Sequence, residues 1–177
     1  LINWKEEVTP NGYAADEVNS ALQKDIRRGN REDAAFWAYE LCISGVEYHE
    51  KLWERLFTIS VEDISFGDNH AAIRINTLYS AFTRDYENID DKYIQAMYAA
   101  TFLASCEKDR YIDELKNYFK KFEIKKEIPD YALDKHTKRG KELGRDSKHF
   151  WEVGAKLHPE RKDRDKPYLD KILSNID

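Results

Sequence analysis

The chain has 177 residues, 29 Lys and Arg against 34 Asp and Glu, and a formal charge of −5; a single domain of this length buries about two-thirds of its unfolded surface. Hydrophobic residues make up 41% and aromatic residues 13%, which excludes a disordered chain because the apolar area is enough to offset ordering entropy. Seven glycines and four prolines are too few for the turns of a sandwich or barrel.

No apolar run reaches the length of a membrane span, and residues 1–7 do not read as a signal peptide. Cys42 and Cys106 each sit inside an apolar helical pattern and form no disulfide framework, which points to a reducing, cytoplasmic setting. The acidic total argues against wholesale coating of nucleic acid but leaves a local basic face open.

Residues 1–13 read as an arm containing Trp4 and the turn Pro10-Asn11-Gly12. From Ala14 the period is helical: Val18, Ala21, Leu22 and Ile26 share one face, and Gly29 supplies a left-handed stop. Asn30 is placed to cap a second helix with Ala34, Trp37, Ala38, Leu41 and Cys42 on its face, which Gly45 closes. A third runs to about Ile64 on Leu52, Trp53, Leu56, Phe57 and Ile59. After the turn Ser65-Phe66-Gly67, Asp68 or Asn69 caps a fourth over residues 70–82. Asp90 and Asp91 open a fifth whose broad apolar face (Ile94, Met97, Tyr98, Thr101, Phe102, Ala104) marks the central helix. Tyr111, Leu115, Tyr118, Phe119 and Phe122 make the inner side of a sixth, with lysines on its outer side, and Pro129 ends that segment. Beyond it the chain is rich in charge, with a last amphipathic turn at Tyr168, Leu169, Ile172 and Leu173. The expectation is an all-α array of about six to eight helices, with an arm (1–13), one helical domain (14–157) and a charged tail carrying a short helix (158–177).

The seven glycines form no phosphate-cradling loop, which argues against nucleotide hydrolysis by this chain. His49-Glu50 begins a zinc-protease string, but Trp53 stands where the second histidine belongs, so no metal site is expected. No cofactor and no catalytic residue is assigned. Glu62 and Asp63 end an apolar helix, where negative charge opposes the helix dipole. Such carboxylates are held by a basic partner or by adjacent amides; the alternative is an acid/base pair working with His136. Two basic clusters remain. Lys24, Arg27 and Arg28 share one side of the first helix beside Gln23, and residues 135–145 carry His136, Lys138, Arg139 and Arg145 with Gly140 and Gly144 between them. Solvated faces explain each alone; together they predict an anion-binding surface for nucleic acid or a small phosphorylated ligand.

The string Ser20-Ala21-Leu22-Gln23-Lys24-Asp25-Ile26-Arg27-Arg28-Gly29, with Asp33-Ala34-Ala35-Phe36-Trp37 after it, resembles the start of the helical C-terminal domain of the MgsA/RarA replication-associated AAA+ ATPases, relatives of the Werner-helicase-interacting protein. Ser60-Val61-Glu62-Asp63-Ile64 is similar to that family's Ser-Glu-Asp-Ile/Val-Gly motif, with Ser65 in place of the glycine, and residues 137–144 end like its Thr-Lys-x-x-Lys-Glu-Leu-Gly segment. The similarity runs over residues 13–144. It implies an all-α module that assembles into dimers or tetramers, acts in DNA replication and recombination, and has a separate replication ATPase as a partner. The family's ATPase module is not in this sequence, Phe66, Asn69 and His70 interrupt its Gly-x-Ala-Asp-Pro turn, and Ser105-Cys106-Glu107-Lys108 replaces its Ala-Pro-Lys-Ser. The expected function is a non-catalytic oligomerising module in which Trp4, Trp53, Phe66 and Trp151 serve subunit contacts. The alternatives are a stand-alone binder of a small nucleotide and an acid/base enzyme using Glu62 and Asp63.

Overall fold

Val18, Leu22 and Ile26 recur every four residues and are sealed from solvent along α1 (Ala15–Arg28) of the computed structural model, which describes residues 6–176. Gly29 ends the helix at φ 77°, and the amide of Asn30 returns to the Asp25 carbonyl at 2.9 Å, a left-handed cap that only glycine adopts without strain. That cap changes the expected start of α2 (Arg31–Ile43). The Asn30 side chain donates back to Asp25 at 2.8 Å and makes no capping bond to α2. Gly45, at φ 130°, opens α3 (Val46–Ile59) and does not close α2, which ends at Ser44.

Five residues beyond α3, Ser60–Ile64, continue as one π-helical turn, and Ser65–Gly67 follow as a 3-10 turn. Asp68 then accepts the His70 amide at 2.8 Å ahead of α4 (Ala71–Phe82). In α5 (Ile89–Ser105), capped by Asn88 on the Asp90 amide at 3.1 Å, Ala96, Ala99, Ala100 and Leu103 are buried. These small side chains meet Ala34 and Ala38 of α2 in one core, so the backbones of the two helices approach closely. α5 also packs on α1, α3 and α4. Trp53, expected to serve subunit contacts, is instead a core residue at 1% exposure, ringed by Tyr79 and Phe82 at 5.4 and 5.3 Å. Phe66 is exposed, Trp151 is half-buried, and Trp4 lies outside the described residues.

α6 (Tyr111–Lys121) follows, and the chain divides into two compact units between Glu123 and Ile124. The division falls inside the stretch read from sequence as one domain. In the second unit a 3-10 turn (Asp130–Ala132) precedes α7 (Lys138–Glu142), α8 (Ser147–His149) with a π-helical extension over Phe150–Gly154, and α9 (Pro167–Leu173). The described residues thus form nine α-helices and no strand, with one isolated antiparallel bridge between Val8 and Ala14. The protein is all-α; the helices beyond the expected number are short ones in the second unit. No helix among the described residues is long and apolar enough to cross a membrane.

Candidate functional site

The π-helical turn widens the end of α3 and carries Glu62 and Asp63 toward α1 and α6. Asp63 is wholly buried, and both of its oxygens are engaged. Oδ1 accepts from Arg27 Nε at 2.5 Å and lies 3.3 Å from Arg110 NH1; Oδ2 accepts from Gln23 Nε2 at 2.9 Å. Glu62 Oε1 accepts from Arg27 NH2 at 2.8 Å and from Gln23 Nε2 at 3.1 Å. The Asp63 carbonyl also accepts the Asp109 amide at 3.0 Å, which ties the loop before α6 to the same turn.

The network extends in both directions. Gln23 Oε1 accepts from Arg55 NH1 at 3.0 Å, and Arg55 Nε donates to Asn19 at 3.2 Å, beside an open polar cleft of about 340 Å³ lined by Lys51, Glu54 and Thr58. Arg110 bonds Asp113, which also accepts from Lys116 at 2.6 Å and from Asn117 at 3.0 Å. Lys116 first, and Arg110 with it, hold the Asp113 carboxyl below its ordinary value of 3.8. Arg27, Arg110 and Lys116 balance Glu62, Asp63 and Asp113 in charge, which is the condition for burying carboxylates at tolerable cost.

Asp113 is the one buried residue of α6. At 100° per residue Leu115 lies about 160° around the helix from it, and the apolar side of α6 faces away from the network. Ile112, Phe119 and Phe122 are 43%, 49% and 50% exposed, and Tyr111 and Tyr118 are exposed with them. The Tyr118 ring packs on Phe119 and Phe122 at 6.0 and 5.0 Å. Two shallow clefts of about 270 and 190 Å³ share Val61 and Ile112 in their walls.

The first basic cluster is split by this geometry. Gln23 and Arg27 turn to the acid pair, whereas Lys24 and Arg28 stay exposed, bonded among the described residues to Ser20 Oγ at 2.7 Å and to the Lys24 carbonyl at 2.9 Å. In the second unit His136 pairs with Asp134 at 3.2 Å, Arg145 with Asp130 at 2.7 Å and Lys138 with Glu142 at 3.9 Å; Arg139 is exposed, with no carboxylate partner among the described residues. The Gly140 backbone does not stand open: a β-carbon there would sit 1.8 Å from the Asp134 carbonyl oxygen. Gly144, at φ 71°, closes α7. Residues 24–28 and 135–145 belong to separate units.

Sequence reasoning missed Gln23 as a ligand of the acid pair, and Arg55, Arg110 and Asp113 as its extensions. Gln23 stands four residues before Arg27, and Arg110 three before Asp113, spacings that place each pair on one helix face. Among the described residues no group of three His, Cys, Asp or Glu stands close enough to hold a metal. Burial pushes the Cys42 thiol up to about 12, far from a reactive thiolate. No family model and no curated protein sequence matches the chain.

Proposed function

We propose that this protein is a non-catalytic, self-associating helical module of the kind the MgsA/RarA-like motifs imply, working in a reducing compartment alongside a separate ATPase. The observation that carries the reading is α6, which docks by its polar side and leaves an aromatic stripe uncovered. Exposed apolar patches of this kind mark interaction surfaces. The acid/base alternative is the weaker one, because Asp63 has both oxygens bonded and is sealed from solvent. Light scattering at neutral pH, moderate salt and about 50 μM protein is expected to return a dimer or tetramer of the 20.9 kDa chain; a mass of one chain overturns the reading.

A second reading, anion binding, is favoured by Lys24 and Arg28 in the first unit and, independently, by Arg139 in the second, which are exposed and pair with no carboxylate among the described residues. A nucleic-acid backbone would be held by arginine forks with lysine as point charges. Binding of a labelled oligonucleotide should weaken steeply with salt, and R28E with R139E should abolish it. Binding unchanged in the double variant removes this reading.

A further inference from the structure

An open cleft of about 380 Å³ lies where α3, the end of α4 and the start of α5 meet. Val46, Tyr79 and Phe82 supply its apolar lining, and His49, Glu50, Thr83 and Lys92 its polar groups. Size and lining are those of a site for a small organic molecule. His49 is only 7% exposed, and its Nε2 stands 3.0 Å from the Cys42 carbonyl oxygen. A carbonyl oxygen only accepts, so Nε2 carries the proton and Nδ1 the lone pair. Burial lowers the titration of His49 below its ordinary value of 6.5, which keeps the ring in that neutral form at pH 7. Nδ1 bonds to no described residue, and it is not sealed from solvent as the ring nitrogens of His149 are. It opens on the cleft.

Lys92 is the second fixed group. It is half-buried, its Nζ stands 4.8 Å from the centre of the Phe82 ring, and it pairs with no carboxylate among the described residues. The His49 ring lies 5.0 Å from the same Phe82 ring, so one aromatic ring with a polar group at each end reaches both. Nδ1 requires a hydrogen-bond donor and Lys92 an anion. A cationic ligand is disfavoured, because Lys92 already stands on the face of Phe82 that would attract it. Glu50, which is exposed, is the opposing charge in the lining. The geometry points to a small aromatic carboxylate with a hydroxyl or ring N–H at its far end as the ligand of this cleft. Its donor meets His49 Nδ1, its carboxylate meets Lys92, and its ring lies between them against Tyr79. Binding there does not depend on self-association, and either can fail without the other.

Titration of the full chain with para-hydroxybenzoate at pH 7, followed by NMR, tests it; benzoate lacks the donor and phenol lacks the carboxylate. One molecule per chain should bind with a Kd of about 1 mM or below. Benzoate and phenol should each bind roughly tenfold more weakly. The nitrogen resonance of His49 Nδ1 should move on saturation with para-hydroxybenzoate. K92M should weaken para-hydroxybenzoate about tenfold and leave phenol unchanged, whereas E50Q should tighten the acid. Far-UV circular dichroism checks that both variants keep their helix content, and the ligand series tests the site without any variant. No saturable binding up to about 10 mM overturns the site. Benzoate as tight as para-hydroxybenzoate, or an Nδ1 resonance that stays in place, overturns the contact to His49. Phenol as tight as para-hydroxybenzoate, with no effect of K92M, overturns the contact to Lys92.

Discussion

Ser65 holds φ 47° and ψ −118°, a conformation in which its β-carbon crowds the adjacent peptide oxygen. It stands where the similar motif carries glycine, and the turn it makes directly follows the buried Asp63. Strain at such a position amounts to about 1–3 kcal/mol, against about 0.5–1 kcal/mol of extra chain entropy lost by glycine. S65G should therefore stabilise by about 1 kcal/mol, a rise in Tm of about 2–4 °C. Asp63 predicts the opposite sign. D63A leaves Arg27 and Arg110 facing each other with Glu62 alone between them, and removing one member of a buried pair costs about 3–5 kcal/mol. A fall in Tm of roughly 10 °C is expected by circular dichroism; an unchanged Tm would show that the pair holds nothing. The need for a basic partner at Glu62 and Asp63 was legible from their place at a helix end. Its identity was not, because Arg27 shares a helical edge with Lys24 and Arg28, and only the approach of α3 to α1 selects it. Asn30 was misread for a related reason: a residue after a glycine stop can serve either helix, and here Asp25 holds its side chain.

At the scale of elements, α1 was legible because its apolar residues recur at helical spacing and are the ones buried. The existence of α5 was legible but its face was not: Ile94 and Tyr98 are exposed, and the small residues Ala96, Ala99 and Ala100 with Leu103 turn inward because they let α2 approach. α6 shows the limit of that reasoning. Its amphipathic pattern is as strong as that of α1, yet periodicity says only that two faces differ, and Arg110 and Asp63 draw the polar one inward. The π-helical turn was invisible for another reason: the step to a wider helix changes no residue type, only which carbonyl each amide meets. Asp113 holds Arg110, which reaches Asp63, and so gives the docking of α6 a pH signature. Its carboxyl titrates below 3.8 in the folded protein, so its contribution is complete above the unfolded value and is lost as pH falls through the folded one. Protection of the α6 amides, taken relative to the intrinsic exchange rate at each pH, should fall below about pH 4 ahead of that of the α5 core, and D113N should show the low protection already at pH 6. Equal protection of α6 at pH 3 and pH 6 would mean that apolar contacts hold it.

Over the whole molecule, the change of texture after Pro129 foretold a different second part, but helical pattern and motif similarity continued to Gly144 and concealed the division at Glu123. The core of alanine, leucine, isoleucine and aromatic side chains belongs entirely to the first unit. Among the described residues of the second, only Leu133 and Gly140 are buried, and the helices there are set by local devices: Thr137 capping the Gly140 amide at 2.9 Å and Asp146 capping that of His149 at 2.9 Å. The heat capacity of unfolding follows the apolar surface released to water. In a calorimeter the residues after Glu123 therefore lose their helices with almost no step in the baseline, and nearly the whole step accompanies the first unit.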